Sequence, residues 1–124
     1  MIVGLGIDVV SVARIERALE RFGAHFWERI LTEGERVDLN GRSDRAVALA
    51  GRFAAKEAAS KALGTGWSQG VRWRDVVVRQ GPEPSVGLLG RAAAVARARG
   101  SSGRGQLRLE RRGALVIGEF WLLS

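Results

Sequence analysis

The chain has 124 residues, of which 46% are hydrophobic and 27% are charged, and it contains no cysteine and a single histidine, His25. This composition excludes disulfides, thiol catalysis, metal sites built on cysteine and metal sites built on several histidines. No apolar run approaches the roughly 20 residues of a membrane-spanning helix, and the first residues lack the basic leader of a signal peptide. We therefore expect one soluble domain over residues 1–124, cytoplasmic and without membrane contact.

The formal net charge is +7, and arginine carries most of the positive charge, with 18 arginines among the 20 basic residues. The only two lysines, Lys56 and Lys61, fall within one window of six residues. A strongly basic chain favours acidic partners, of which nucleic acid is one. Because the arginines are spread along the chain, are not clustered with aromatic residues and accompany no nucleic-acid-reading motif, we expect no nucleic-acid partner.

The N-terminal segment predicts a buried strand followed by a helix. Residues 1–10 are rich in Ile and Val and contain one acid, Asp8. Ser11 is a suitable N-cap for a helix over about residues 12–22, because the apolar positions there follow helical spacing. Gly23 is expected to end that helix.

A long helix is expected in the middle of the chain. Residues 44–63 are rich in alanine, contain only Gly51 as a helix-weakening residue, and are followed at once by Gly64, a typical helix stop. Before this helix, residues 24–40 predict a short helical segment and a loop. Within that segment, Thr32-Glu33-Gly34-Glu35 offers a second helix start.

The C-terminal half predicts short strands and one further helix. They are strands at 71–78 and 85–89, a helix at 90–99, and a closing hairpin formed by 107–111 and 114–123. The fold expected is α+β, in which all of these strands and the N-terminal strand form one antiparallel sheet that packs on the long helix.

Two groups of residues could carry chemistry, and each also has a structural explanation. An ionised Asp8 at the end of an apolar strand is costly unless it is paired, bound to a metal or used as a capping acid. Glu57 and Lys61 are four residues apart and therefore share a helix face, with Phe53 one turn earlier. Alone, this pair is equally typical of an exposed ion pair.

The residues that follow Glu57 and Lys61 also indicate a binding site. The helix face ends at a Gly64-Thr65-Gly66 turn, whose amides could hold a phosphate group. Two acids from different elements, one lysine and a glycine turn would suit Mg²⁺ and a pyrophosphate, since Mg²⁺ commonly takes one or two carboxylates together with phosphate oxygens and waters.

Several motifs in order resemble one family. They are Gly6-Ile7-Asp8-Val9-Val10, Arg29-Ile30-Leu31-Thr32-Glu33 with Glu35, Arg52-Phe53-Ala54-Ala55-Lys56-Glu57-Ala58, Lys61-Ala62-Leu63-Gly64-Thr65-Gly66, and Trp73-Arg74-Asp75-Val76. Over about residues 3–90 the chain resembles the holo-acyl-carrier-protein synthases, the small bacterial 4′-phosphopantetheinyl transferases.

The resemblance implies an enzyme that transfers the phosphopantetheine arm of coenzyme A to a serine of an acyl carrier protein and releases adenosine 3′,5′-bisphosphate. It implies Asp8 and Glu57 as Mg²⁺ ligands and catalytic residues, and a catalytic Lys61 beside the pyrophosphate. The remaining coenzyme-binding residues implied are Arg45, Arg52, Phe53, Gly64, Thr65 and Gly66. Members of the family are trimers with sites at subunit boundaries, so a homotrimer is expected.

A partner surface is expected on the first helix. Arg14, Arg17 and Arg21 recur at spacings of three and four and form a basic stripe that would suit the acidic helix of a carrier protein. The stripe could equally be a solvated helix face, because Glu16 and Glu20 alternate with it.

The chain departs from the family near its end. The family usually carries Ser-x-Ser-His before the last strand, where this chain has Arg108-Leu109-Glu110-Arg111. This difference leaves open a relative that keeps the fold and coenzyme binding but has little or no activity. His25, Trp67, Trp73 and Trp121 are interpreted as structural residues.

Overall fold

The computed structural model describes all of residues 1–124 and has the expected α+β architecture. Its elements in chain order are β1 (Ile2–Ser11), α1 (Val12–Ile30), α2 (Glu33–Leu39), α3 (Arg45–Leu63), a 3₁₀ turn (Trp73–Asp75), β2 (Val76–Arg79), β3 (Ser85–Leu88), α4 (Gly90–Ala98), β4 (Gly105–Arg112) and β5 (Leu115–Leu123). None of the helices combines the length and the apolar character needed to cross a membrane.

The strands form two antiparallel sheets, so the expectation of one sheet was wrong. One sheet has the order β1-β5-β4, and β2 and β3 pair only with each other. The free edge of β2 is bonded to side chains: the amide of Val78 donates to Glu35 Oε2 over 3.0 Å, and Lys56 Nζ donates to the carbonyl of Val76. Because these side chains satisfy the backbone groups of β2, no further strand pairs there.

One element boundary differs from expectation and one is confirmed. Gly23 has φ 65° and ψ −160°, which are not helical, so the first helical segment ends there as expected; a second helical segment then completes α1 as far as Ile30. The strand expected from residue 71 begins only at Val76, because Asp75 Oδ2 accepts the amide of Arg72 at 3.1 Å and stabilises a 3₁₀ turn. The second helix start is confirmed by reciprocal hydrogen bonds between Thr32 and Glu35, which form a capping box.

The three-stranded sheet lies against α3 at backbone contact distance. A Cβ atom on Gly4 or Gly6 of β1 would overlap the carbonyl oxygen of Ala62 or Ala58 in α3. The smallest residues therefore stand where strand and helix approach most closely. Since alternate residues of a strand point to the same face, Asp8 also lies on the side of β1 that faces α3.

Candidate active site

The close packing of β1 on α3 brings Asp8 to Lys61. Lys61 Nζ donates to Asp8 Oδ1 and to the carbonyl of Ile7, both at 3.0 Å. The side chain of Lys61 is 49% exposed and that of Asp8 18% exposed. The ammonium group of Lys61 is thus hydrogen-bonded to β1 and remains accessible to a ligand.

Glu57 lies one turn before Lys61 on α3 and shares a cavity of about 340 Å³ with Asp8. Its Oε1 accepts a hydrogen bond from Trp67 Nε1 at 3.3 Å. Burial raises the pKa of the Glu57 carboxyl above its ordinary value; the charge of Asp8 adds to this shift, whereas the bond from Trp67 and the charge of Lys61 oppose it. The two carboxylate side chains therefore line one cavity.

The two carboxylates fit a hard divalent cation. Lys61 holds Asp8 Oδ1 and Trp67 holds Glu57 Oε1, whereas Asp8 Oδ2 and Glu57 Oε2 have no donor in the chain. No group of three or more His, Cys, Asp or Glu side chains is placed to hold a metal ion. Two carboxylates with free oxygens match Mg²⁺, which completes its shell with waters and substrate phosphates.

Three aromatic rings pack together beside Glu57. The rings of Trp67 and Trp73 stack with centroids 3.9 Å apart and planes at 20°, and Phe53 packs on Trp73 at 5.1 Å. The sequence interpretation of Trp67 as structural missed its hydrogen bond to Glu57, and no sequence signal indicated that bond. Phe53, expected at the coenzyme, is half-buried and also lines the cavity of Asp8 and Glu57.

The glycine turn follows α3 directly. Gly64 has φ 80° and caps the helix, and Gly66 has φ 56°. The amides of Gly64 and Gly66 donate to Lys61 and Ser60 carbonyls, whereas the amide of Thr65 has no acceptor in the chain. One amide of this turn is therefore available to a phosphate oxygen.

Arg99 closes the same end of α3, a role that the sequence did not indicate. Its guanidinium donates to the carbonyls of Ala62, Leu63 and Val3 at 3.4, 2.6 and 3.2 Å. These bonds satisfy carbonyls that a helix end leaves open and join the helix to β1. The turn and the first strand are thereby held in a fixed relation.

The two arginines assigned to coenzyme phosphates lie apart from the turn. Arg52 is 2% exposed and donates to the carbonyl of Glu35 and to Asp38, so its guanidinium is not open to a ligand in this chain. Arg45 is exposed at the first turn of α3 and lines a separate cavity of about 490 Å³ between α1 and α2. It stands about 28 Å along the helix from Gly64.

Lys56, the other lysine, belongs to a buried ion cluster. It is fully buried and donates to Glu35 Oε1 at 2.9 Å and to the carbonyl of Trp73 at 3.0 Å. Burial lowers the pKa of this lysine, and the charge of Glu35 opposes the shift. Its position inside the molecule makes Lys56 a structural residue that joins α2, α3 and β2.

The basic stripe of α1 lies beside the carboxylate cavity. Arg14, Arg17 and Arg21 are all exposed, and Arg14 lines the cavity together with Asp8. The guanidinium of Arg21 lies 5.4 Å from the ring centroid of Phe22, itself an exposed apolar side chain. The stripe thus combines positive charge with apolar surface.

His25 and the segment at residues 108–111 do not join this site. The side chain of His25 is fully exposed and lies 4.0 Å from Glu28. The Arg108-Leu109-Glu110-Arg111 segment lies in the middle of β4, paired with β5. Neither contributes a contact to Asp8, Glu57 or Lys61.

Comparison with known proteins shows the family to which the chain is related. Residues 4–110 match the 4′-phosphopantetheinyl transferase superfamily. A holo-[acyl-carrier-protein] synthase of Methylobacterium sp. (strain 4-46) is 55% identical over 96 residues, which is 76% of this chain and 71% of that protein.

Solved structures extend the likeness to the whole chain. The synthase from Neisseria meningitidis superposes with a TM-score of 0.88 at 33% identity and is covered completely in both chains. The synthase from Bacillus anthracis str. Ames, solved in complex with CoA, gives a TM-score of 0.80 at 35% identity and covers 100% of this chain and 98% of its own. The closing hairpin therefore keeps the fold of these proteins although its sequence departs from the expected motif.

The chain belongs to the 4′-phosphopantetheinyl transferase superfamily, a class of enzymes. Its relatives within that class are holo-[acyl-carrier-protein] synthases, and the fold matches theirs over the full length.

Proposed function

We propose that this chain is a Mg²⁺-dependent synthase that transfers 4′-phosphopantetheine from coenzyme A to a serine of apo-acyl carrier protein. The observation that carries the proposal is the pairing of Asp8 and Glu57 across one cavity, each with one held and one free oxygen. Mg²⁺, held by these free oxygens, would neutralise part of the charge on the pyrophosphate.

The reaction is a displacement at phosphorus. The serine oxygen forms a bond to the phosphorus that carries pantetheine and releases its proton to solvent water. The bond from that phosphorus to the bridging oxygen breaks, and adenosine 3′,5′-bisphosphate leaves with that oxygen. Lys61, half-exposed beside Asp8, supplies a positive charge where the pyrophosphate would lie. The free amide of Thr65, in the turn that follows α3, is a second, neutral donor available to a phosphate oxygen.

The carrier protein would dock on the basic stripe of α1. Arg14 borders the carboxylate cavity, and Arg17 and Arg21 continue the stripe away from it. An acidic helix placed there would bring its serine towards Asp8. Opposite charges of this kind raise the rate of encounter and fix orientation.

A homotrimer would complete the site. The part of the sheet's outer face that β1 forms is apolar and exposed, and apolar surface of this kind is typical of subunit interfaces. Its exposed apolar side chains are Leu5, Ile7 and Val9, with Leu115 of β5 beside them. In such an assembly, the exposed Arg45 could reach the phosphates of a coenzyme bound mainly to a neighbouring copy.

Transfer is tested by incubating the protein with coenzyme A, Mg²⁺ and apo-carrier protein and measuring the intact mass of the carrier. We expect a mass gain of one phosphopantetheine group. Asp8→Ala and Glu57→Ala should each lower the rate by about 100-fold or more while leaving the circular dichroism spectrum unchanged. Near-normal turnover by either variant would refute the metal assignment.

The same experiment tests the second candidate function, that of a relative that binds coenzyme A without turnover. The Arg108-Leu109-Glu110-Arg111 segment, which replaces the expected Ser-x-Ser-His, favours this candidate. Its prediction is calorimetric binding of coenzyme A with no mass gain on the carrier, under conditions in which a known synthase modifies it completely.

A further inference from the structure

The side-chain carboxylate of Glu57 accepts a single hydrogen bond within the chain, and its donor is Trp67. The indole Nε1 donates to Glu57 Oε1 at 3.3 Å, while Oε2 accepts no bond. Asp8 shows the same pattern. Its Oδ1 accepts a hydrogen bond from Lys61 Nζ, and its Oδ2 accepts none within the chain. Each carboxylate thus keeps one oxygen without a donor in the chain, and both residues line the same cavity.

The direction of the Trp67 N–H is fixed by packing. Its ring is stacked on Trp73 at 3.9 Å, and Trp73 is packed in turn on Phe53 of α3. The backbone of Trp73 is anchored as well, since its carbonyl accepts a bond from the buried Lys56. A donor held in this way can orient the carboxylate without moving itself.

We propose that Trp67 is a positioning residue that turns Glu57 so that its free oxygen faces the divalent cation. The inference rests on the proposed function of Asp8 and Glu57 as its ligands. Donors that orient a metal ligand commonly change metal affinity by 10- to 100-fold when they are removed. Trp67 therefore sets how tightly Mg²⁺ is held and has no direct part in the transfer step.

The test compares Trp67→Phe with Trp73→Phe. The first variant keeps an aromatic ring in the stack but lacks the N–H, whereas the second makes the same change of ring and leaves the bond to Glu57 intact. We expect the Mg²⁺ concentration for half-maximal transfer to rise about 10-fold in Trp67→Phe and less than about 2-fold in Trp73→Phe. At saturating Mg²⁺, kcat and the KM for coenzyme A should stay within about 2-fold of the parent.

Tryptophan fluorescence provides a readout that is independent of turnover. Mg²⁺ is titrated into the enzyme with coenzyme A and without carrier protein. Emission should change with Mg²⁺ in the parent, in Trp73→Phe and, through the remaining Trp73, in Trp67→Phe, where the midpoint of the change should lie at about 10-fold higher Mg²⁺.

The outcomes separate the two proposals. Equal Mg²⁺ dependence of Trp67→Phe and Trp73→Phe, with Glu57→Ala still inactive, would overturn the role of Trp67 and leave the metal site standing. Unchanged Mg²⁺ dependence in Glu57→Ala would overturn the metal assignment itself, and the positioning role with it. A fall in kcat of Trp67→Phe that saturating Mg²⁺ does not restore would also contradict positioning.

Discussion

Two lysines on one helix have opposite environments. Lys56 is fully buried and bonded to Glu35, whereas the side chain of Lys61 is half-exposed and bonded to Asp8. Removing one partner of a buried pair leaves the other charge uncompensated, and this costs far more than losing an exposed pair. The difference in burial therefore indicates that Lys56 stabilises the fold, whereas Lys61 is accessible to a ligand.

Lys56→Met tests this difference. The carboxylate of Glu35 would stay buried without its closest cation, so we expect the free energy of unfolding to fall by about 3–5 kcal/mol. Lys61→Met makes the same chemical change at an exposed pair and should cost less than about 1 kcal/mol. Urea denaturation followed by circular dichroism measures both, and equal losses would contradict the assignment of Lys56 to the buried cluster.

At the scale of elements, the close packing of β1 on α3 determines where the side chains of the candidate site lie. Gly4 and Gly6 allow the strand to approach the helix backbone, and Arg99 ties the two together at the end of α3. Asp8 comes two residues after Gly6 on the same face, and Lys61 reaches it from the helix. A shift of β1 relative to α3 would therefore move the Asp8 carboxylate away from its position beside Lys61.

Gly6→Ala should disturb this contact. The added Cβ meets the backbone carbonyl of Ala58, which cannot move without displacing α3, so we expect a loss of stability of about 1–3 kcal/mol and slower transfer. Gly34→Ala is the matched control, because a Cβ there meets no atom within 4 Å and alanine favours a helix. Thermal denaturation and the carrier-mass assay provide the readouts, and a fully stable, fully active Gly6→Ala would contradict the close-packing account.

At the scale of the whole molecule, one face of the larger sheet remains uncovered. Leu5, Ile7 and Val9 lie about half-exposed along β1, which is also an edge strand of its sheet. Exposed apolar strands invite association, so an assembly that covers this face would lower the free energy of the chain. This surface supports self-association, whereas the number of three copies is proposed from the resemblance to the family.

Leu5→Glu tests the assembly. A charge on the sheet face should be incompatible with a buried interface, so we expect the variant to elute as a monomer in size-exclusion chromatography with light scattering, whereas the parent elutes as a trimer. Leu89→Glu makes the same change at a residue of similar exposure outside the sheet and should leave the assembly intact. A parent that is monomeric at all concentrations would refute the trimer.

The sequence predicted the parts of the molecule that depend on local patterns. The long helix ending at Gly64 and the closing hairpin follow from composition and turn residues. The motifs also pointed to Asp8, Glu57 and Lys61 as one group, and the structure shows Lys61 bonded to Asp8. Bonds between distant segments were not predictable in this way. The buried partner of Arg52 and the bond from Trp67 to Glu57 depend on how loops pack, which no local periodicity records.

The central claim is that Asp8 and Glu57 hold one divalent cation between them. The most direct measurement is a crystal structure of the protein with coenzyme A and Mn²⁺, with the anomalous signal of the metal recorded. The account predicts one strong anomalous peak per active site, coordinated by an oxygen of Asp8, an oxygen of Glu57 and the pyrophosphate of the coenzyme. A bound coenzyme with the metal elsewhere, or with either carboxylate turned away from it, would contradict the account.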